Sequence, residues 1–192
     1  MTTATDTGPT RQRLIEVAIE LFGKHSVAGT SLQMISDALG FTKSAIYHHF
    51  RTREELLDAI LEPILTELKL LVDAAESQRT PKARADRMLV SYAALAASNR
   101  KLISVLSGDP HVAELVRTKP PWSATVTRQM RLLADVEPGI GGQVNAAIVM
   151  SGFAGAARGE FAVLDDEALH DQMISAGRRT LGLRAPRVLS GR

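Results

Sequence analysis

At 192 residues the chain is long enough for a sizeable core, and it fits either one helical domain or a small domain joined to a larger one. Its 45% hydrophobic and 23% charged residues are a globular composition, and the absence of cysteine excludes disulfides, thiolate zinc sites and cysteine nucleophiles. The net charge of +2 hides a local imbalance: from Gly40 to Arg53 there are three basic residues, Lys43, Arg51 and Arg53, no acidic one, and the pair His48 and His49. Screening limits electrostatic reach to roughly 8 Å at physiological salt, so such a patch matters more to a polyanion than the whole-chain figure.

Along the chain almost every periodic segment is helical and none alternates as a strand. Residues 1–9 are expected to be a flexible tail without an apolar signal, which makes a cytoplasmic location the default. Leu14, Ala18, Leu21 and Phe22 recur at helical spacing and predict a first helix over 11–24. After Gly29, Thr30-Ser31-Leu32-Gln33 reads as a capping box in which Thr30 accepts from the Gln33 amide. It opens a short helix with Leu32, Ile35 and Leu39 that ends at Gly40. Thr42 is expected to cap a third helix whose inward face is Ala45, Ile46 and Phe50. A second capping box, Thr52-Arg53-Glu54-Glu55, opens a connecting helix over 53–75.

Further helices are predicted at about 81–98, 99–107, 110–118, 122–135, 140–160 and 166–182, separated by Pro81, Gly108-Asp109-Pro110, Pro120-Pro121 and Pro138-Gly139. The basic tail over 184–192 is expected to fray. Pro138 to Ala157 carries no charge, but it holds five glycines with Gln143 and Asn145. That content suits a buried interface helix rather than a membrane span.

The second and third short helices, joined by a tight turn at Gly40, make a helix-turn-helix. Opposite the apolar side, the third helix presents Lys43, Ser44, Tyr47 and His48. Lysine can bond guanine acceptors, serine can reach base edges or phosphate, and tyrosine and histidine can donate to phosphate oxygens. Arg53 stands in the first turn of a helix, where a cation is badly placed for the dipole, and so is expected to serve an external anion. The competing reading is an ordinary solvated face; the combination of residues argues against it.

Leu14 to Leu61 resembles the N-terminal domain of TetR-family transcriptional regulators. Ala18, Leu21, Phe22, Ile35, Gly40, Tyr47, Phe50, Glu55, Leu56 and Leu57 fill the family's pattern at fixed spacing, over about a quarter of the chain. Arg53 departs by replacing a common lysine and keeps the charge. The resemblance implies DNA contacts from Ser31, Gln33, Thr42, Lys43, Ser44, Tyr47, His48, His49 and Arg53, with Arg11 and Arg13 as further candidates for phosphate. It implies an all-α fold, in which a three-helix DNA-binding domain over 10–52 and the connecting helix precede a ligand-binding and dimerisation bundle over 76–183. The partners implied are a palindromic double-stranded DNA operator, a second copy of the chain and a small-molecule effector. No cofactor or metal is expected.

Beyond the head no specific signature appears. Gly152, Gly155 and Gly159 cost ~1 kcal/mol each in a helix relative to alanine, which calls for a reason such as close backbone approach. With Ser151, Met173 and Gly177 they are the candidate dimer interface; close packing within one subunit is the alternative. Candidate effector-lining residues are Met88, Tyr92, Leu95, Leu102, Leu106, Trp122, Val126, Met130, Met150 and Phe153, although each could be plain core. Adaptable methionines with Trp122 suit a hydrophobic or aromatic effector. An enzyme reading rests on Glu167-Ala-Leu-His170, the spacing of di-iron bundles, but no second Glu-x-x-His exists in the sequence. The glycines of "GIGGQVNA" follow Pro138 rather than a strand and do not make a dinucleotide loop. A helical interaction module that has lost DNA binding would have disrupted recognition residues, which this sequence keeps.

Overall fold

The computed structural model describes residues 7–157 and 164–184. Gly159 and residues 1–6 and 185–192 lie outside them, whereas Thr7, Gly8 and Pro9, expected in the flexible tail, already belong to the first helix. Among the described residues every regular element is helical: α1 Thr7–His25, α2 Leu32–Ala38, α3 Lys43–His49, α4 Arg53–Glu76, α5 Pro81–Ser98, α6 Arg100–Leu106, α7 Pro110–Thr118, α8 Pro120–Ala134, α9 Ile140–Ala156 and α10 Asp166–Thr180. The helix starts follow local chemistry. Thr80 accepts from the Ala83 amide ahead of Pro81, and Asp165 accepts from the Ala168 amide, with Asp166 and Glu167 in the first turn of α10.

The chain divides into two compact units that are not continuous in sequence. Residues up to Thr66 and Val105–Thr118 form the first, and Glu67–Ser104 with the residues from Lys119 form the second. The long helix α4 contributes to both. A division into successive segments therefore leaves out α7, which belongs with the head; Asp109, just before it, accepts a hydrogen bond of 3.2 Å from the Val27 amide.

In the first unit, α1, α2 and α3 pack on one another around Leu14, Ala18, Phe22, Ile35, Ile46 and Phe50, all buried. In the second, α5, α8, α9 and α10 pack together, burying Met88, Leu89, Leu133, Val149, Phe153 and Met173. Arg178 grips Asp86 with two hydrogen bonds, 2.7 and 3.1 Å, tying α10 to α5. Arg128 bridges Glu76 and Asp73 and ties α8 to the end of α4; its guanidinium pKa is raised chiefly by the bond to Glu76. Among the described residues no helix is long and apolar enough to cross a membrane.

Candidate nucleic-acid interface

The turn between α2 and α3 is closed from inside. Gly40 takes φ +66, the left-handed region that glycine adopts without strain. The buried Ser36 hydroxyl is shared between the carbonyls of Phe41 and Thr42, at 2.9 and 3.1 Å, while the Phe41 amide returns to Ser36 O. Sequence reasoning did not single out Ser36; a serine on the apolar side of a short helix is the signal that could have found it. With the turn fixed, Ile46 and Phe50 face inward, and Thr42, Lys43, Ser44, Tyr47 and His48 are all exposed.

Four details differ from the sequence expectation. First, the cap of α2 is Ser31, which accepts from the Met34 amide at 3.1 Å, one residue later than expected. Thr30 is instead buried and donates to the Ser26 carbonyl, because the preceding loop needs its own backbone groups satisfied. Second, Thr42 is the N-cap residue of α3, but its hydroxyl meets the Ser44 hydroxyl at 3.0 Å rather than a backbone amide. Third, the box at Thr52 accepts from the Glu55 amide as expected, while the Glu55 carboxylate reaches one residue further back, to the Arg51 amide at 2.7 Å.

The fourth concerns Arg53. Its Nη1 donates to the carbonyls of Val27 and Ala28, both at 3.1 Å, so the guanidinium serves the loop between α1 and α2 instead of standing free for an external anion. Gln33 is also engaged, donating to Asp37 at 2.6 Å.

The remaining cations are differently placed. Lys43 Nζ lies 5.8 Å from the Tyr47 ring centroid, and no carboxylate pairs with Lys43 or Arg51 among the described residues. Arg51, part of the basic stretch but not among the assigned contacts, is exposed. Arg11 places its guanidinium 5.0 Å from the Phe50 ring centroid, and Arg13 is exposed. His48 and His49 meet edge to face at 5.4 Å. His49 is half-buried, and its pKa is lowered first by burial and then by the charges of His48 and Arg11, so its neutral form is favoured near pH 7. The result is an exposed face of hydroxyls, a phenol, imidazoles and unpaired cations, with apolar residues held beneath it.

Against known proteins, the profile described as "Bacterial regulatory proteins, tetR family" matches residues 14–60, the segment that builds this face. The match is confined to the head, about a quarter of the chain, which is similar to the DNA-binding segment of that family. A probable acrEF/envCD operon repressor of Escherichia coli K12 is 44% identical over 61 residues, which is 31% of this chain and 28% of that protein. The transcriptional repressor KstR2 of Rhodococcus jostii is 30% identical over 94 residues, 46% of this chain and 45% of that protein. The chain thus spans less than half the length of these curated relatives. The solved structure of the ketosteroid transcriptional regulator KstR2 of Mycobacterium tuberculosis covers 94% of this chain and 97% of its own at TM-score 0.69 and 18% identity, a likeness of fold.

Outside the TetR-type head, the candidate dimer residues separate into two groups. A Cβ at Gly177 would lie 2.4 Å from Leu89 and 3.2 Å from Phe153, so this glycine, like the buried Met173, serves packing within its own chain rather than an outer face. Ser151 and Gly152 are exposed, and a Cβ at Gly152 or Gly155 meets nothing within 4 Å. On the same helix Ile140, Val144 and Ile148 are 80%, 50% and 53% exposed, four residues apart and in line with Gly152. Gly142, Ala146, Val149 and Phe153 fill the opposite side. These outward aliphatics went unmarked because α9 carries apolar residues on both its buried and its exposed side, and periodicity cannot pick out a face in such a helix.

Of the candidate effector residues, Met88, Leu95 and Phe153 are buried, while Tyr92, Leu102, Trp122, Val126, Met130 and Met150 are half-buried in the second unit; Leu106 is buried in the first. Tyr92 and Phe153 stack at 5.7 Å, 12° from parallel. Lys119 Nζ stands 4.3 Å from the Trp122 ring centroid. His170 lies beside Asp171 at 3.4 Å, and among the described residues no group of three or more potential metal ligands gathers around it or elsewhere.

Proposed function

We propose that the protein is a ligand-responsive transcriptional regulator, acting as a repressor, that binds a palindromic DNA operator as a homodimer and is released by a small hydrophobic or aromatic effector. The observation that carries this reading is the exposed face of α3: Lys43, Ser44, Tyr47 and His48 project over buried Ile46 and Phe50, with Lys43 unpaired by any carboxylate among the described residues. Such a helix suits the major groove, where lysine can bond guanine and hydroxyl groups can meet bases or phosphates. Thr42 and Arg51 flank it for the backbone, with Arg11 and Arg13 as further phosphate contacts. Gln33 and Arg53 act by holding the helix-turn-helix in shape.

Dimerisation is supported by α9. The line of Ile140, Val144, Ile148 and Gly152 on α9 is left uncovered by the described residues of one chain. Pairing through that face gives one dimer two copies of α3, as a palindromic operator with half-sites in successive major grooves, roughly 34 to 36 Å apart, requires. The names of the relatives, an operon repressor and a transcriptional repressor, support repression as the direction of control. A chromosomal operator implies a cytoplasmic location. Release requires that the effector bind the DNA-free form more tightly, with a coupling of about 1 to 3 kcal/mol.

The test is selection of sites from random duplex DNA at about 150 mM salt, where non-specific phosphate binding is suppressed. A palindrome should be enriched. A folded, dimeric protein that enriches none contradicts the reading.

A further inference from the structure

Among the described residues, the interior of the second unit holds one polar side chain without a hydrogen-bond partner. Gln129 on α8 is 0% exposed, and both of its amide atoms, Nε2 and Oε1, are buried without a hydrogen-bond partner. Its neighbour one turn back, Thr125, is buried too, but its hydroxyl is spent on the Pro121 carbonyl at 2.9 Å. Leu132 and Leu133 continue the same buried side. Buried amides are almost always paired, and a methionine of the same length would fill this place without a polar penalty. An orphaned amide in an apolar core therefore points to a partner that arrives from outside.

The surroundings narrow the chemistry of that partner. The helices on which α8 packs, α5 and α9, carry the stacked pair Tyr92 and Phe153. Burial pushes the Tyr92 phenol up to about 12, so it stays neutral, and its hydroxyl makes no hydrogen bond among the described residues. The fully buried polar residues of the described chain are Thr30, Ser36, Thr125 and Gln129, none of them charged. An ionised effector would bring an uncompensated charge into this core. A glutamine amide offers N–H donors and a carbonyl acceptor side by side, and a neutral group that answers both at once is another amide with its N–H and C=O on the same side.

We propose that Gln129 is the polar anchor of the effector site, and that it selects uncharged, mainly apolar ring compounds bearing a cis-amide group such as a lactam or imide. This deepens the effector-responsive reading and rests on it. The probes are oxindole, a fused-ring lactam; N-methyloxindole, which lacks the donor; and indane, the hydrocarbon of similar shape. Calorimetry on the full-length dimer should show oxindole binding about tenfold more tightly than N-methyloxindole, the loss expected when one buried partner goes unpaired. Gln129→Met should weaken oxindole by a similar factor without weakening indane, which has no polar group for the amide to hold. Failure of oxindole to bind, equal binding of the lactam and its methylated form, or an equal change for oxindole and indane in the variant overturns the proposal. Because calorimetry needs no operator, these outcomes are separate from failure of site selection, which tests the regulator reading.

Discussion

The two units invert each other's logic. In the head, polar groups face out, apolar groups face in, and the loop between α1 and α2 has its carbonyls taken by Arg53 and Thr30 and its Val27 amide by Asp109. In the second unit, α9 turns three large aliphatics outward and α8 buries an amide without a partner among the described residues. The difference teaches where to look for missing partners. A finished surface with free cations fits a partner met reversibly in water, whereas an exposed apolar line and an orphaned interior amide are incomplete until something covers them.

The comparison breaks most visibly at α9. Ile148→Glu places a charge on the proposed shared face, and removing one member's compatibility there should cost about 3 to 5 kcal/mol of association, as for an unpaired buried charge. Sedimentation should then show monomers. In the head, Lys43→Ala should leave the fold and the dimer intact and weaken operator binding at fixed salt by about 1 to 3 kcal/mol, the range for a good base contact. Unaltered affinity in a direct binding titration would remove Lys43 from the interface.

Two glycines sharpen the contrast within the second unit. Alanine at Gly177 must displace Leu89, an overpacking cost of typically 1 to 3 kcal/mol that exceeds or cancels the ~1 kcal/mol gained in helix propensity. Alanine at Gly152 meets nothing within its own chain, so the monomer fold should gain that ~1 kcal/mol while the dimer weakens. Denaturant midpoints of the two variants should therefore move apart, Gly177→Ala at or below the parent and Gly152→Ala above it once dissociation is accounted for by dilution.

The smallest effect concerns His49. Its folded pKa lies below its ordinary value of 6.5, so the unfolded chain binds the proton more readily. The neutral form's advantage is present above pH 6.5 and is lost as pH falls from there through the lowered folded pKa. Thermal unfolding at pH 7.5 and pH 5 should thus show a larger loss for the parent than for His49→Gln.

Much of this organisation was legible in the residues. The apolar spacing of Leu14, Ala18 and Phe22, the glycine at 40 and the prolines at 81, 110 and 120 mark helices that the structure reproduces within a few residues, because these signals act locally. The outward face of α3 was legible for the same reason, since Ile46 and Phe50 fix its opposite side. What could not be read were contacts between segments distant in sequence. Arg53 donates to carbonyls 25 and 26 residues earlier, and Asp109 receives an amide 82 residues away. Gly177 resembled an interface glycine in sequence, yet the side chain it makes room for belongs to Leu89 of the same chain. Likewise nothing local distinguishes Gln129 from a solvated glutamine on an amphipathic helix.

Footprinting the purified protein on the selected duplex tests the central claim most directly, that two copies of α3, paired through α9, read one operator. The account predicts two protected half-sites on one face of the duplex, centred roughly 34 to 36 Å apart, present with the parent protein and lost together in Ile148→Glu. A single protection, or the same paired pattern from a monomeric variant, would contradict it.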